Sequence, residues 1–271
     1  MVHLMIKILF ILFLIPSIAL GGSATIGGVA VEDIDTLGGV AIEDIASFGG
    51  VSVSIAPSGT YSFYLNFEYP GDTDRAYTDS GGGTINGSAS GATIDTWANF
   101  GIAGPTGGGT YGVKFDANDE TIDYTITALD IIDTSEGTIA LDIYFVTSTG
   151  INTFVQVGSG DDEMTGEADA NNYMDLQHQG DASTVNIVGT DAIPDTTWTT
   201  IRISWSVISN EISTKVGANG WETDVDASPV TAFASAAATL EIGDGGSGDG
   251  IVNTFYIDNF RISKTYQDAD L

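Results

Sequence analysis

The sequence predicts an all-β chain: a two-sheet antiparallel jelly-roll sandwich preceded by a segment of short repeated strands. Three observations carry that prediction. From about Pro57 onward, short runs rich in Val, Ile, Thr, Tyr and Phe are separated by clusters of Gly, Asp and Asn, the punctuation of strands and turns. No stretch of that region holds a convincing apolar period of 3.6 residues, so no amphipathic helix is expected. The composition agrees: with 35 Gly, 42% hydrophobic and only 16% charged residues, the polarity comes from Gly, Ser, Thr, Asn and Asp rather than from salt-bridged helices.

The 271 residues include 37 acidic against 7 basic side chains, a formal charge of −30, and no cysteine. Nucleic acid is therefore excluded as a partner, because phosphate binding needs a Lys and Arg surface that this chain lacks. Disulfides and thiolate zinc sites are excluded by the missing cysteine. The length suffices for one large β domain with an appendage.

At the N-terminus, Lys7 precedes an apolar run over residues 8–15, then Pro16 and the small residues Ala19 and Gly21. This is the pattern of a secretory signal peptide over 1–21, cleaved after Gly21. The alternative is a retained anchor, but the run is short against the roughly 20 residues of a membrane span. A secreted or cell-surface protein follows, with no membrane span after cleavage. Loss of Lys7 makes it one unit more negative.

Residues 22–57 form a repeat. Ile26-Gly-Gly-Val-Ala-Val, Leu37-Gly-Gly-Val-Ala-Ile and Phe48-Gly-Gly-Val-Ser-Val recur every eleven residues, each a Gly-Gly turn followed by a short alternating strand. Such a unit has no core of its own. It serves either as a spacer, or stalk, or as a surface for self-association.

Strands are then expected over 61–69, 111–115, 121–127, 138–147, 153–158, 173–179, 184–188, 199–206, 211–216, 239–242 and 254–263, within a domain of residues 58–265 followed by a tail of 266–271. In the run 138–146, Ile139, Leu141, Ile143 and Phe145 point one way, and Ala140, Asp142, Tyr144 and Val146 the other. One face is core and the second amphipathic.

Four segments in order resemble the laminin-G-like, concanavalin-A-like jelly rolls. They are Tyr111-Gly-Val-Lys-Phe-Asp-Ala-Asn-Asp-Glu, Gly137-Thr-Ile-Ala-Leu-Asp-Ile-Tyr-Phe, Asp195-Thr-Thr-Trp-Thr-Thr-Ile-Arg-Ile-Ser-Trp and Phe255-Tyr-Ile-Asp-Asn-Phe-Arg-Ile-Ser. The resemblance implies an antiparallel sandwich whose relatives bind glycans or proteins, or act as glycoside hydrolases. It also implies a calcium ion. Tyr64-Leu-Asn-Phe-Glu resembles the opening segment of calcium-stabilised carbohydrate-binding jelly rolls, whose Glu shares one ion with the Asp of the closing strand; carried over, the pair is Glu68 and Asp258. Two acidic loops, 158–172 and 243–250, either hold calcium or are solvated turns, and neither has EF-hand spacing.

Catalysis has less support. Retaining glycosidases need a nucleophile and an acid/base carboxyl about 5 Å apart. No Glu-x-Asp-x-Glu string occurs, and the strand over 153–158 has no carboxylate. The nearest paired carboxylates, Asp130 with Asp133 and Glu241 with Asp244, stand beside turns, where capping is the simpler role. His178, in Gln177-His178-Gln179, does not have the Gln-x-His spacing of lyases of this fold and reads as a strand residue with a hydrogen-bond partner.

Sugar binding needs an aromatic face beside polar side chains. Trp198 and Trp205 share one strand and read as core or sheet-face residues. Trp97 and Trp221, flanked by Asn, Asp or Glu in turn-like sequence, are the exposed candidates, with Tyr173 after Asn171-Asn172, and Asp142 with Tyr144 on the amphipathic face. Packing under a loop is the competing role for each aromatic. The expected function is a non-catalytic, lectin-like domain that binds a polysaccharide or glycan. The alternatives are an adhesive or structural component of a cell surface or virion that binds protein and, with less support, a hydrolase or lyase of the same fold.

Overall fold

The computed structural model describes the repeat strands and residues 61–68, 75–78, 84–106, 108–125, 131–147, 150–159, 162–180, 183–224, 239–243, 253–268 and 271. The expected leader lies outside the described residues, as does most of the acidic loop 243–250. Internal contacts divide the chain into two units, Met1–Gly59 and Thr60–Leu271.

In the first unit, six two-residue strands pair antiparallel as three hairpins: β1 (Thr25–Ile26) with β2 (Val29–Ala30), β3 (Thr36–Leu37) with β4 (Val40–Ala41), and β5 (Ser47–Phe48) with β6 (Val51–Ser52). Ile26 faces Val29, Leu37 faces Val40 and Phe48 faces Val51, so the sequence repeat is also a repeat of register.

The second unit is an antiparallel two-sheet sandwich. Its elements are β7 (Phe63–Leu65), β8 (Arg75–Thr78), β9 (Thr84–Asn86), β10 (Ser88–Ser90), β11 (Thr93–Thr96), the one-turn helix α1 (Trp97–Phe100), β12 (Tyr111–Phe115), β13 (Thr121–Thr125), β14 (Glu136–Phe145) and β15 (Asn152–Ser159). There follow β16 (Asp162–Ala168), β17 (Tyr173–Gly180), β18 (Ser183–Ala192), β19 (Thr199–Ser206), β20 (Glu211–Val216), β21 (Glu222–Asp224), β22 (Thr239–Gly243) and β23 (Phe255–Ser263). A seven-stranded sheet runs β10-β13-β22-β15-β16-β17-β18. A ten-stranded sheet runs β21-β20-β19-β14-β23-β7-β8-β9, with β12 also on β23 and β11 on β12.

The core lies between the sheets and follows the period of two. Ile139, Leu141, Ile143 and Phe145 of β14 point inward as expected, with Ile201, Ile203 and Trp205 of β19 and Phe255, Ile257, Phe260 and Ile262 of β23. The facing sheet supplies Ile122, Tyr124, Val155, Val157, Met164, Met174, Leu176, Val185, Leu240 and Ile242. Trp205 is fully buried and its indole N–H donates to the Asp133 carbonyl at 3.1 Å, satisfying the one polar atom that its burial would strand.

Two sequence expectations are corrected. The acidic stretch 158–172, read as a loop, contains β16: Met164 and Ala168 face the core while Glu163, Thr165 and Glu167 face outward. Its acids hide a strand whose buried side is short and interrupted by Gly166. The segment after β23 is no free tail. The Gln267 amide donates to Ser204 Oγ at 2.8 Å, the Asp268 amide donates to Thr138 Oγ1 at 3.1 Å, and Ser263 Oγ donates to Asp268 Oδ2 at 2.6 Å.

Candidate functional site

Along one edge of β23, two strands divide the pairing. β12 takes its first half, Val113 opposite Ile257, and β7 its second half, Phe260 opposite Leu65. At the changeover Asn259 adopts a φ of 50° and the β14 register shifts between Ala140 and Asp142. Asp258 sits at this junction, fully buried. Its Oδ1 accepts from the Asn259 amide at 2.7 Å, and its Oδ2 makes no hydrogen bond of good geometry, with the Gly109 amide near enough to offset part of its charge. Burial pushes its carboxyl well above the usual range, and the nearby charges of Asp142 and Glu68 push the same way. Glu68, just beyond β7, reaches the same place: its Oε1 accepts from the Tyr111 amide at 2.6 Å, and burial raises its carboxyl against the pull of that amide.

The turn over the junction has to be glycine. A Cβ on Gly108 would stand 2.6 Å from Asp258 Oδ2, and one on Gly109 would overlap the Glu68 carboxyl. The structure therefore brings together the two residues that the resemblance paired. Among the described residues no three His, Asp or Glu side chains form a metal-ligating group. The junction offers two carboxylates, one with a buried, unpartnered oxygen, under the backbone of a glycine turn. That donor set fits a hard cation such as calcium.

Asp142 and Tyr144 share the outward face of the ten-stranded sheet with Asp258. The Asp142 carboxylate is already engaged, accepting from Thr200 Oγ1 at 2.5 Å and Asn259 Nδ2 at 2.9 Å. Tyr144 lies in an aromatic layer, 5.5 Å from Trp198 and 6.0 Å from Tyr256 between ring centroids. Trp97 belongs to this layer, contrary to its expected exposure. It is 5% exposed, its ring meets Trp198 edge-on at 5.0 Å, and its indole N–H donates to the Gly109 carbonyl at 3.1 Å. The polar neighbours that suggested a solvated loop cap α1: Thr96 Oγ1 accepts from the Asn99 amide, and Asp95 accepts from the Thr96 amide and Asn99 Nδ2. Trp97 thus braces the glycine turn above Glu68 and Asp258.

Trp221 and Tyr173 lie elsewhere. Trp221 is half-buried before β21, with Lys215 Nζ 5.8 Å from its ring centroid. Tyr173 opens β17 in the other sheet, its amide held by Asp169 Oδ1 at 2.9 Å. Of the aromatic candidates, the structure joins Trp97 and Tyr144 through Trp198 and sets Tyr173 in the other sheet. His178 points inward on β17, between Met164 and Val185, and is fully buried. It belongs to the core and not to either outward face.

The seven-stranded sheet presents a feature the sequence did not foretell. Its inward residues alternate with a polar row that runs across strands in register: Asp123 faces Glu241, Glu241 faces Gln156, Gln156 faces Thr165, Thr165 faces Gln177, and Gln177 faces Asn186. A neighbouring row joins Thr153, Glu167 and Asp175. Gln156, between the inward Val155 and Val157, is only 8% exposed although it points away from the core, and Thr153, beside the register irregularity at Phe154, is fully buried. Gln156 Nε2 donates to Glu163 at 2.6 Å, and its Oε1 is buried without a partner. Asp123 Oδ1, Thr153 Oγ1 and Asp175 Oδ1 are likewise buried and unpartnered. Buried polar atoms in folded proteins are normally satisfied, so four such oxygens on one sheet need an account.

No protein-family model and no curated protein matches the chain. Solved structures do. The botulinum neurotoxin serotype G binding domain is similar at a TM-score of 0.54 and 10% identity, over 77% of this chain and 49% of that one. The binding domain of botulinum neurotoxin DC in complex with rat synaptotagmin II gives 0.50 and 12%, over 77% and 49%. Trypanosoma rangeli sialidase gives 0.51 and 11%, over 83% and 33%. What they share with this chain is the β-sandwich. The chain spans about half the length of the neurotoxin binding domains it matches.

Proposed function

We propose that this chain is a secreted or surface-displayed, non-catalytic glycan-binding sandwich of the laminin-G-like kind, carried on its repeat segment as a stalk and stabilised by calcium at Glu68 and Asp258. The glycan lies across the outward face of the seven-stranded sheet. The observation that carries this reading is the row of side chains there, with four buried oxygens awaiting donors. A polysaccharide presents hydroxyls at regular intervals, and a ladder of carboxylates, amides and threonines takes them up strand by strand. The exposed large apolar residues among those described, Val146, Val188 and Ile208, stand on separate elements and form no flat patch for a protein partner. A protein partner remains the second reading, favoured by the synaptotagmin complex of one structural neighbour.

The test is a glycan array with the chain beginning at residue 22, with and without a calcium chelator. Binding of a defined glycan class that is lost in Gln156→Ala with the fold intact is expected. A folded protein that binds no glycan overturns the reading.

No polysaccharide hydrolysis is expected. Carboxylates are opposed across strands at Asp123 with Glu241, Asp142 with Asp258 and Glu167 with Asp175, but the Asp142 carboxylate is engaged by Thr200 and Asn259, Asp258 is fully buried, and Gln156, an amide, occupies the place next to Glu241. Reducing-end assays on β-glucan, agar, carrageenan and alginate check this. Release that disappears in Asp123→Asn or Glu241→Gln would make the row catalytic.

A further inference from the structure

We propose that the outward face of the seven-stranded sheet selects glycans bearing free protonated amines, of the polyglucosamine type, over neutral and anionic ones. This rests on that face being the glycan site. Two independent observations carry it.

The first is the segregation of charge. The seven strands β10, β13, β15, β16, β17, β18 and β22 contain no Lys or Arg, whereas Arg75, Lys114, Arg202, Lys215 and Arg261 all lie in strands of the ten-stranded sheet. On the outward side of the seven-stranded sheet, Asp123 is opposite Glu241 and Glu167 is opposite Asp175, with Glu163 bonded to Gln156 between the two pairs. A uronate, sulfate or sialate laid on this face would meet carboxylates and no cationic side chain of these strands, and like charges at close range repel.

The second is the chemistry of the unpartnered atoms. Asp123 Oδ1, Gln156 Oε1 and Asp175 Oδ1 are acceptors only, with Thr153 Oγ1 beside them, and Gln156 and Thr153 are at least nine-tenths buried. One of the two N–H donors of Gln156 Nε2 is already spent on Glu163. A sugar hydroxyl fills such a place imperfectly, because each donor brings lone pairs to face the carboxylates. An ammonium group brings three donors, no acceptor and the opposite charge, and charge-assisted hydrogen bonds are about twice as strong as neutral ones. Asp175 fits the same account: burial first, then the charge of Asp169, raises its carboxyl, and a cation alongside would relieve both.

The experiment compares glucosamine, N-acetylglucosamine and cellulose hexamers by calorimetry at mildly acidic pH, where the amines are protonated. The glucosamine hexamer is expected to bind at least tenfold more tightly than either of the others, with the gap narrowing as salt is raised. Asp123→Asn with Glu241→Gln should close that gap, whereas the equal charge change Asp116→Asn with Asp119→Asn, on the exposed turn after β12, should leave it. A hexalysine peptide controls for general attraction to an acidic chain. Equal binding of the acetylated or neutral hexamer, or of hexalysine, overturns the amine selection and leaves glycan binding standing. Failure of every hexamer to bind a folded protein, with no glycan bound on the array, removes the glycan reading itself.

Discussion

Calcium should raise the melting temperature of this protein by about 5–10 °C, and Asp258→Ala should abolish the rise. A ligand at 100 times its dissociation constant stabilises the form it binds by about 2.7 kcal/mol, and for a domain of this size each kcal/mol moves the midpoint by about 2–4 °C. The physical case lies in the state of Asp258 without an ion. A fully buried carboxylate with an unpartnered Oδ2, facing the charges of Asp142 and Glu68, is costly when ionised, which is why its pKa is raised. A divalent cation between Asp258 and Glu68 turns that cost into an attraction and ties the end of β7 to β23. Calcium binds the ionised form, so the response should shrink as pH falls through the raised pKa of Asp258, where the proton competes for the same oxygen. Magnesium at equal ionic strength separates the site from general screening of a chain at −30, since it prefers a smaller octahedral, hydrated site. Equal shifts with both ions, or a full calcium response in Asp258→Ala, would leave the junction as a buried carboxylate pair with no ion.

The sandwich was legible in the sequence wherever a strand buries one clean face. Residues 138–147 alternate without interruption, and the structure places Ile139, Leu141, Ile143 and Phe145 inward as that alternation requires. β16 was not legible, because only Met164 and Ala168 flank Gly166 on its inner side and its acids resemble a solvated turn. The proximity of Glu68 and Asp258 came from resemblance alone, since no local pattern links an opening strand to a closing one. Trp97 misled because capping residues and solvated loop residues are the same residue types, and only the placement of α1 against the glycine turn tells them apart. The polar row was invisible for a more general reason. Asp123, Gln156, Thr165, Gln177 and Glu241 each occupy an ordinary outward position in their own strand, and only the cross-strand registers align them. A site assembled from one residue per strand leaves no motif in the chain.

His178 should make the fold sensitive to acid between about pH 6.5 and 4. It is buried on the inward side of β17, and burial lowers its pKa from 6.5 to about 4. The folded protein therefore keeps this imidazole neutral at pH values where the unfolded chain already binds a proton. Stability from this group is complete above pH 6.5 and is lost as pH falls toward the folded value, at about 1.4 kcal/mol per pH unit, or about 3 kcal/mol across the window. The raised carboxyls of Asp258, Glu68 and Asp175 act in the opposite sense, because the folded protein takes up their protons more readily than the unfolded chain does. A single melting profile mixes the two, so the measurement is a difference: denaturant midpoints of the parent and of His178→Met at half-unit steps of pH, without added calcium. Methionine suits a place between Met164 and Val185 and carries no proton. The parent should lose about 3 kcal/mol more than the variant between pH 6.5 and 4, and parallel profiles would mean that the buried imidazole takes up its proton in the fold as easily as in the unfolded chain.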